Sequence, residues 1–144
     1  MNVKQISVFV ENKKGRLAEI TKALADNKID ISALSIADTT DFGILRLIVN
    51  KPNAAESILK EKGLAVKATE VIAIGVADEP GGLAVALQRL DQEHISIEYM
   101  YAFVGKTTNE ALVILRVEEQ ERAVAVLNGC DGVRVLSSDE VYSL

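Results

Sequence analysis

The chain has 144 residues, 49% of them hydrophobic and 26% charged, which is typical of a globular protein with one ordinary domain or two small ones. The formal net charge is −5 and the basic residues are scattered, whereas a nucleic-acid-binding surface needs clustered Lys and Arg, so no nucleic-acid partner is expected. No apolar run approaches the roughly 20 residues that cross a bilayer. The N-terminus lacks a signal-peptide core and the single cysteine excludes an intrachain disulfide, so we expect a cytoplasmic protein without a membrane partner.

The first half of the chain predicts six elements in the order β-α-β-β-α-β. They are a strand over 3–10, a helix from 12 to about 27, strands over 29–37 and 43–50, a helix that begins at 52, and a strand over 64–67. Ile6, Val8 and Val10 point to one face, and Gln5, Ser7 and Phe9 to the other, as in a half-buried strand. Asn12 is expected to cap the first helix and Gly63 to end the second. The alternation slips near Ala33, which predicts a bulge.

The second half of the chain repeats the first. A shift of 66 residues carries Ile6 onto Ile72, Asn12 onto Asp78, Gly15 onto Gly81 and Leu17 onto Leu83. After the middle turn a shift of 68 carries Leu47 onto Leu115 and Leu59 onto Leu127, so two additional residues belong to the turn around 105–108. The repeated elements are a strand over 71–77, a helix over 81–93, strands over 95–104 and 110–117, a helix over 119–128 and a strand over 133–137. Such repetition indicates two copies of one fold, and we predict domains at 1–69 and 70–144.

Each copy matches the split βαβ or ferredoxin-like plan, in which a four-stranded antiparallel sheet carries two helices on one face. The predicted fold class is therefore α+β. Because no linker separates the copies, we expect them to be tightly coupled, with their sheets joined edge to edge into one continuous sheet. Dimerisation would bury further surface, and a homodimer is expected.

In both copies a strand ends in a short polar side chain, a glycine follows three residues later, and a leucine comes two residues after that. The two loops are Asn12-Lys13-Lys14-Gly15-Arg16-Leu17 and Asp78-Glu79-Pro80-Gly81-Gly82-Leu83. At these residues the chain resembles the ACT domain family; the second loop fits the family pattern closely, and the first has lysine in place of proline. The resemblance covers nearly the whole chain. It implies a freestanding tandem ACT protein that binds an amino acid between paired domains, regulates amino-acid metabolism and uses no cofactor.

The chemistry of the loops supports this resemblance. Glycine lets the backbone approach a ligand closely, and a helix start offers unpaired amides and a partial positive charge to a carboxylate. Asp78, or the amide oxygen of Asn12, could accept hydrogen bonds from an ammonium group. The spacing alone equally allows loops that are only structural, in which these two residues cap helices and the glycines make tight turns.

The second strand of each copy forms the edge where two ACT domains meet in the family. Tyr99 and Tyr101 stand on one face of this strand in copy two, where they either pack in the core or line a ligand pocket. The matching residues of copy one, Ala33 and Ser35, are small, so the two sites are expected to be unlike. The predicted ligand-binding residues are Asn12, Lys14, Gly15, Arg16, Leu17, Ser32, Asp78, Pro80, Gly81, Gly82, Leu83, Glu98 and Tyr99.

Three other groups of residues do not support catalysis or metal binding. His94 falls in a helix-to-strand connection, and Cys130 lies in a turn without a second cysteine, so no metal site is predicted. Glu118, Glu119 and Glu121 open a helix, where acidic residues favour the helix dipole. No nucleophile–base pairing, Walker loop or zinc-ligand spacing is present in the sequence.

The sequence therefore predicts a non-enzymatic sensor whose partners are a free amino acid and a partner enzyme or regulator. One alternative is a regulatory subunit of an amino-acid biosynthetic enzyme, resembling the small subunit of acetolactate synthase, in which protein–protein contact is the main function. The other is an enzyme of ferredoxin-like fold, which would require titratable side chains clustered in a cleft.

Overall fold

The computed structural model describes residues 2–38, 41–105 and 109–144. In chain order the elements are β1 (Val3–Glu11), α1 (Arg16–Asp26), β2 (Ile31–Asp38), β3 (Phe42–Val49), α2 (Pro52–Glu61), β4 (Ala65–Ala77), α3 (Gly82–Gln92), β5 (Ile97–Ala102), β6 (Glu110–Val117), α4 (Gln120–Asn128), β7 (Val133–Val135) and α5 (Ser138–Tyr142). This order confirms the predicted α+β class with two ferredoxin-like units. Residues 106–108, where the inserted turn is predicted, lie outside the described part of the chain.

The chain divides into two compact units. The first, here called the N-unit, contains Lys4–Thr69 and Tyr142–Leu144, and the second, the C-unit, contains residues 2–3 and Glu70–Val141. A compact unit need not be a separate functional domain, so the domains at 1–69 and 70–144 stay predictions.

In the N-unit, β3 pairs antiparallel with β1 on one side and with β2 on the other. Ile6 lies opposite Leu47, and the register of β2 against β3 slips between Ile31 and Ala33, which confirms the predicted bulge. Helices α1 and α2 pack on one face of this sheet. The buried core of the N-unit contains Ile6, Val8, Val10, Ile20, Leu24, Ile29, Leu45, Leu47, Val49, Ala55 and Leu59.

The C-unit repeats this pairing at equivalent positions. Ile72 lies opposite Leu115 where β4 pairs with β6, and the register of β5 against β6 slips between Ile97 and Tyr99. These pairs are the counterparts of those in the N-unit, so the sequence repeat corresponds to a repeat of strand register. The buried core of the C-unit contains Ile72, Ile74, Val76, Ala86, Leu90, Ile95, Val113, Leu115, Val117, Ala123 and Leu127. Burial of each large aliphatic side chain stabilises the fold by roughly 1.5–3 kcal/mol relative to its exposure.

The predicted capping role of Asn12 is wrong. Helix α1 begins after Gly15, whose φ is 84°, and α3 begins after Gly81, whose φ is 90°; in the described residues neither helix has a side-chain cap. Glycine adopts this left-handed conformation without the steric penalty of a Cβ atom. The backbone of each loop therefore turns at the glycine, and the polar residue three positions earlier is left outside the helix.

The ends of the first three long helices share one geometry. Gly63 has a φ of 83° and follows α2, as predicted, with its amide donating to the carbonyl of Lys60 at 2.9 Å. Lys28 and His94 occupy the same position after α1 and α3 with a φ of 57° each. His94 is therefore a helix-terminating residue equivalent to Lys28.

The remaining differences from the prediction are the boundaries of several strands and one additional helix. Strand β4 is one strand of 13 residues instead of two shorter strands. Strands β5 and β7 are shorter than predicted, since they cover Ile97–Ala102 and Val133–Val135. The short helix α5 was not predicted from the sequence.

Candidate ligand-binding site

The two glycine loops have the same backbone hydrogen bonds. In the N-unit the amide of Lys13 donates to the carbonyl of Glu11 at 2.7 Å, and the amide of Arg16 donates to the carbonyl of Lys13 at 3.3 Å. The amide of Glu19 donates to the carbonyl of Gly15 at 3.0 Å. In the C-unit the amide of Glu79 donates to the carbonyl of Ala77 at 2.9 Å, and the amide of Gly82 donates to the carbonyl of Glu79 at 3.0 Å. The amide of Val85 donates to the carbonyl of Gly81 at 3.2 Å. Because no described side chain caps either helix, the amides of the first turn keep their capacity to bind an anionic group.

A cleft of ≈ 200 Å³, here called the N-cleft, lies beside the first loop. It is lined by Val10, Glu11, Asn12, Lys13, Arg16, Leu17, Ile36, Asp38 and Gly43. The lining residues come from the end of β1, the loop, the start of α1, the end of β2 and the start of β3. The N-cleft thus combines two basic and two acidic side chains with apolar surface.

Three of the four charged side chains of the N-cleft, Glu11, Lys13 and Arg16, are held by ion pairs. Lys13 Nζ lies 2.8 Å from Glu11 Oε2, and this lysine, through its hydrogen bond and its charge, lowers the pKa of the Glu11 carboxyl. Arg16 Nη1 lies 3.4 Å from Glu19 Oε2. Such a cleft can offer cations to a carboxylate and anions to an ammonium group.

An equivalent cleft of ≈ 190 Å³, the C-cleft, lies beside the second loop. It is lined by Asp78, Ala102, Phe103, Gly105, Glu110, Ala111 and Leu112. Asp78, Ala102 and Ala111 are the counterparts of Asn12, Ile36 and Gly43 in the N-cleft. Both ionisable residues in the described lining are acidic, and Glu110 is paired with Arg134 at 2.7 Å. The C-cleft therefore offers no cation to a carboxylate from its described lining.

The predicted site residues are only partly brought together. Asn12, Arg16 and Leu17 line the N-cleft, and Asp78 lines the C-cleft. The predicted residues that do not line either cleft are Lys14, Gly15, Ser32, Pro80, Gly81, Gly82, Leu83, Glu98 and Tyr99. Their role in binding stays a prediction.

The predicted residues on the second strands have different surroundings. Ser32 is 1% exposed, and its Oγ atom has no hydrogen-bond partner among the described residues. Tyr99 stacks on Tyr101 with ring centroids 6.5 Å apart, so the two rings share a face of β5. Glu98 Oε2 lies 3.2 Å from Arg116 Nε on the neighbouring strand. None of these contacts involves the glycine loops.

The sequence interpretation missed six lining residues of the N-cleft, which are Val10, Glu11, Lys13, Ile36, Asp38 and Gly43. Glu11, Ile36, Asp38 and Gly43 join the cleft because β3 brings its first residues opposite the ends of β1 and β2, with Gly43 opposite both Val10 and Asp38. The acidic residues at the strand ends were visible in the sequence, but their approach to the loop depends on the strand register.

The described part of the chain has no group of three or more His, Cys, Asp or Glu residues placed to hold a metal ion. Among the described helices, none combines the length and the apolar character required to cross a membrane.

Comparison with protein families identifies the fold. The profile of a family described as ACT domain pair matches residues 1–137. No curated protein matches the chain.

Among solved structures, the chain is similar to protein BT0572 from Bacteroides thetaiotaomicron, with 42% identity, a TM-score of 0.92, and coverage of 100% of this chain and 98% of that one. It is also similar to the regulatory subunit of aspartate kinase from Thermus thermophilus, with 17% identity, a TM-score of 0.62 and coverage of 90% and 93%. The regulatory subunit from Thermus flavus has 15% identity, a TM-score of 0.63 and coverage of 89% and 90%. The two similarities at low identity concern the fold alone.

Proposed function

This chain belongs to the family of paired ACT domains, and we propose that it is a non-enzymatic, cytoplasmic sensor that binds a free amino acid and regulates amino-acid metabolism. Binding acts on a partner enzyme or regulator by favouring one arrangement of the paired domains, which requires that the ligand has a higher affinity for that arrangement.

The observation that carries this proposal is the mixed charge of the N-cleft. An α-amino acid carries its carboxylate and its ammonium group on the same carbon atom. Lys13 and Arg16 supply cations, Glu11 and Asp38 supply anions, and the start of α1 adds backbone amides. The N-cleft matches a zwitterion better than the acidic C-cleft, so we assign the ligand to the N-unit. The proposed ligand therefore binds at the first loop, which fits the family pattern less closely than the second.

Exposed apolar residues beside the N-cleft support binding between domains of a homodimer. Leu17 and Ile36 line the cleft and are 42% and 49% exposed, and Leu34 on the same strand is 41% exposed. A second ACT domain placed on this surface would bury these side chains and exclude water from the ligand. The amino acid would then contact both domains.

The alternative function, a regulatory subunit that acts mainly through protein–protein contact, is favoured by a second apolar surface. Phe9 and Phe42 are exposed on the sheet of the N-unit, and Phe9 lies opposite Ile44 on the neighbouring strand. One solved structure of this fold is the regulatory subunit of aspartate kinase from Thermus thermophilus. This alternative predicts that a larger enzyme subunit co-purifies with the chain.

The sensor proposal is tested by thermal melting in the presence of each of the twenty amino acids. A ligand at 100 times its dissociation constant stabilises the folded state by about 2.7 kcal/mol, which raises the melting temperature by several degrees. We expect one amino acid or a few similar ones to do so. If none of the twenty moves the transition, the proposal is wrong.

The pair Gly15→Val and Gly81→Val identifies the loop that binds. Both glycines have a positive φ, and a Cβ atom on either would meet nothing within 4 Å, so the two substitutions impose similar backbone strain. We expect Gly15→Val to abolish the stabilisation by the amino acid and Gly81→Val to retain it. The melting of each unliganded variant shows whether it folds.

A further inference from the structure

Two of the four charged side chains in the N-cleft compensate each other. Lys13 Nζ lies 2.8 Å from Glu11 Oε2, so this pair carries no net charge. The side chain of Asp38 has no hydrogen bond or ion pair with any described residue. Arg16 is paired with Glu19, which lies outside the cleft, and this contact occupies one of the several N–H donors of the guanidinium group. The N-cleft therefore keeps one cation and one anion for a ligand.

Neither of these two charges is required by the repeated fold. By the shift of 66 residues, Arg16 corresponds to Gly82 and Asp38 to Val104. The C-unit thus forms the same loop and a similar second strand without a cation or an anion at these positions. The pair of charges is specific to the N-unit, and the fold alone does not account for it.

Asp38 lies beside the apolar part of the N-cleft. Ile36 precedes it by two positions on β2, so both side chains point to the same face of the sheet. Gly43 on β3 lies directly opposite Asp38 and also directly opposite Val10 on β1. A carboxylate, an exposed aliphatic side chain and a position without a side chain are therefore adjacent on one face.

Gly43 leaves room on this face for the side chain of a ligand. A Cβ atom at this position would lie 3.5 Å from Val10 Cγ2 and 3.8 Å from Ile36 Cγ2, which are ordinary van der Waals distances. The C-unit has Ala111 at the equivalent position, so the fold accepts a methyl group there. Since all three residues of the N-unit line the N-cleft, a methyl group on Gly43 would occupy part of the cleft.

We propose that the ligand of the N-cleft is an α-amino acid with a branched aliphatic side chain, such as valine. Its carboxylate binds Arg16 and its ammonium group binds Asp38. The aliphatic side chain lies over Gly43 and contacts Leu17 and Ile36, which removes exposed apolar surface from water. This inference rests on the proposed sensor function and names the class of amino acid, with Gly43 as the residue that limits the size of the side chain.

The volume and the charges of the N-cleft disfavour other classes of amino acid. Since a water molecule takes about 30 Å³ in the liquid, ≈ 200 Å³ corresponds to about seven non-hydrogen atoms. Valine is close to this size, whereas the aromatic amino acids are much larger. A charged side chain would find no uncompensated partner in the described lining, because Arg16 and Asp38 bind the α-carboxylate and the ammonium group. An unpaired charge placed on an apolar surface is unfavourable.

Isothermal titration of the full chain with valine, glutamate, lysine and phenylalanine tests the class of ligand. We expect the dissociation constant of valine to be at least tenfold lower than that of each of the other three. If a polar, charged or aromatic amino acid binds as tightly as valine, the proposed class is wrong and the sensor function stands. If none of the twenty amino acids binds, both proposals are wrong.

Gly43→Ala tests the position of the ligand side chain. The added methyl group competes with the side chain of valine for the same space, so we expect the ratio of the affinities for valine and alanine to fall at least tenfold. Gly129→Ala is the matched control, because Gly129 lines neither cleft and a Cβ there meets its nearest atom at 3.7 Å. This control should keep the ratio of the wild type. An unchanged ratio in Gly43→Ala would overturn the proposed position.

Asp38→Asn tests the contact with the ammonium group, and it decides if Gly43→Ala does not fold. Loss of this charge-assisted contact is expected to weaken valine binding at least tenfold. Asp41→Asn removes the same charge from a nearby residue that does not line the N-cleft, so it should bind valine like the wild type. Undiminished affinity of Asp38→Asn would contradict the proposed contact.

Discussion

A Cβ atom on Gly82 would lie 1.9 Å from the carbonyl oxygen of Ala77, the last residue of β4. The loop of the C-unit therefore requires glycine at this position for steric reasons. Arg16, the counterpart in the N-unit, carries a long side chain. The double glycine that makes the second loop resemble the family pattern thus has a structural cause and does not by itself indicate a ligand.

The substitution Gly82→Ala is expected to destabilise the protein by about 1–3 kcal/mol, because the backbone of the loop must shift to remove the clash. Gly129→Ala is the control, since a Cβ there meets its nearest atom at 3.7 Å, an ordinary contact. Urea unfolding measures both variants. Equal stability of Gly82→Ala and the wild type would mean that the loop relaxes without cost.

Gly75→Ala is expected to be much milder, although a Cβ there would lie 2.5 Å from Glu110 Oε2. The obstacle is the end of a flexible side chain, which can rotate away and weaken its ion pair with Arg134. Exposed ion pairs contribute about 0–1 kcal/mol, and alanine in place of glycine in a strand restores roughly 0.5–1 kcal/mol. We expect a change within about 1 kcal/mol by urea unfolding. A loss of stability as large as that expected for Gly82→Ala would show that the Glu110 side chain cannot move away.

Lys28→Gly and His94→Gly are expected to stabilise the protein by up to about 1 kcal/mol each, because both residues have a φ of 57°. Lys22→Gly, in the interior of α1, is a control with the opposite expected sign, since it should destabilise the protein by about 1 kcal/mol. Thermal and urea unfolding report the sign. Destabilisation by His94→Gly would indicate that its side chain makes a contact that matters more than the backbone strain.

The sequence predicted the fold better than the site. The shift of 66 residues from Ile6 to Ile72 reappears as equivalent strand pairing, because alternation and repeat both reflect which side chains are buried. The start of α1 was placed too early, since the φ of Gly15, and not the side chain of Asn12, decides where the helix begins. Helix α5 is too short for a periodic pattern to show.

The N-cleft could be predicted only in part. Asn12, Arg16 and Leu17 follow from the loop itself, which is continuous in sequence. Ile36 and Asp38 come from another strand, and their place depends on how β2 and β3 turn and pair.

The ion pair of Glu140 predicts a pH dependence of stability. The Ser137 amide, and then Arg134, hold the pKa of Glu140 below its usual 4.5. A carboxyl with a lowered folded-state pKa stabilises the fold above pH 4.5 and loses this contribution as the pH falls through the folded-state value. Glu140→Gln should therefore be less stable than the wild type near pH 7, with a difference that shrinks as the pH falls below 4.5.

Urea midpoints at a series of pH values measure this difference. Glu121→Gln removes one negative charge from the start of α4 and is the control for net charge. A difference between Glu140→Gln and the wild type that stays constant across the whole pH range would rule out the ionised carboxylate as its cause.

The most direct test of the central claim is isothermal titration of the amino acid that raises the melting temperature most. It is titrated into the wild type, Arg16→Gln and Lys22→Gln, where Lys22 is paired with Asp26 on the same helix but does not line the N-cleft. Hydrogen bonds to charged groups contribute about 1.5–3 kcal/mol, so Arg16→Gln should weaken binding at least tenfold, whereas Lys22→Gln should bind like the wild type. Undiminished affinity of Arg16→Gln would contradict an amino-acid site in the N-cleft.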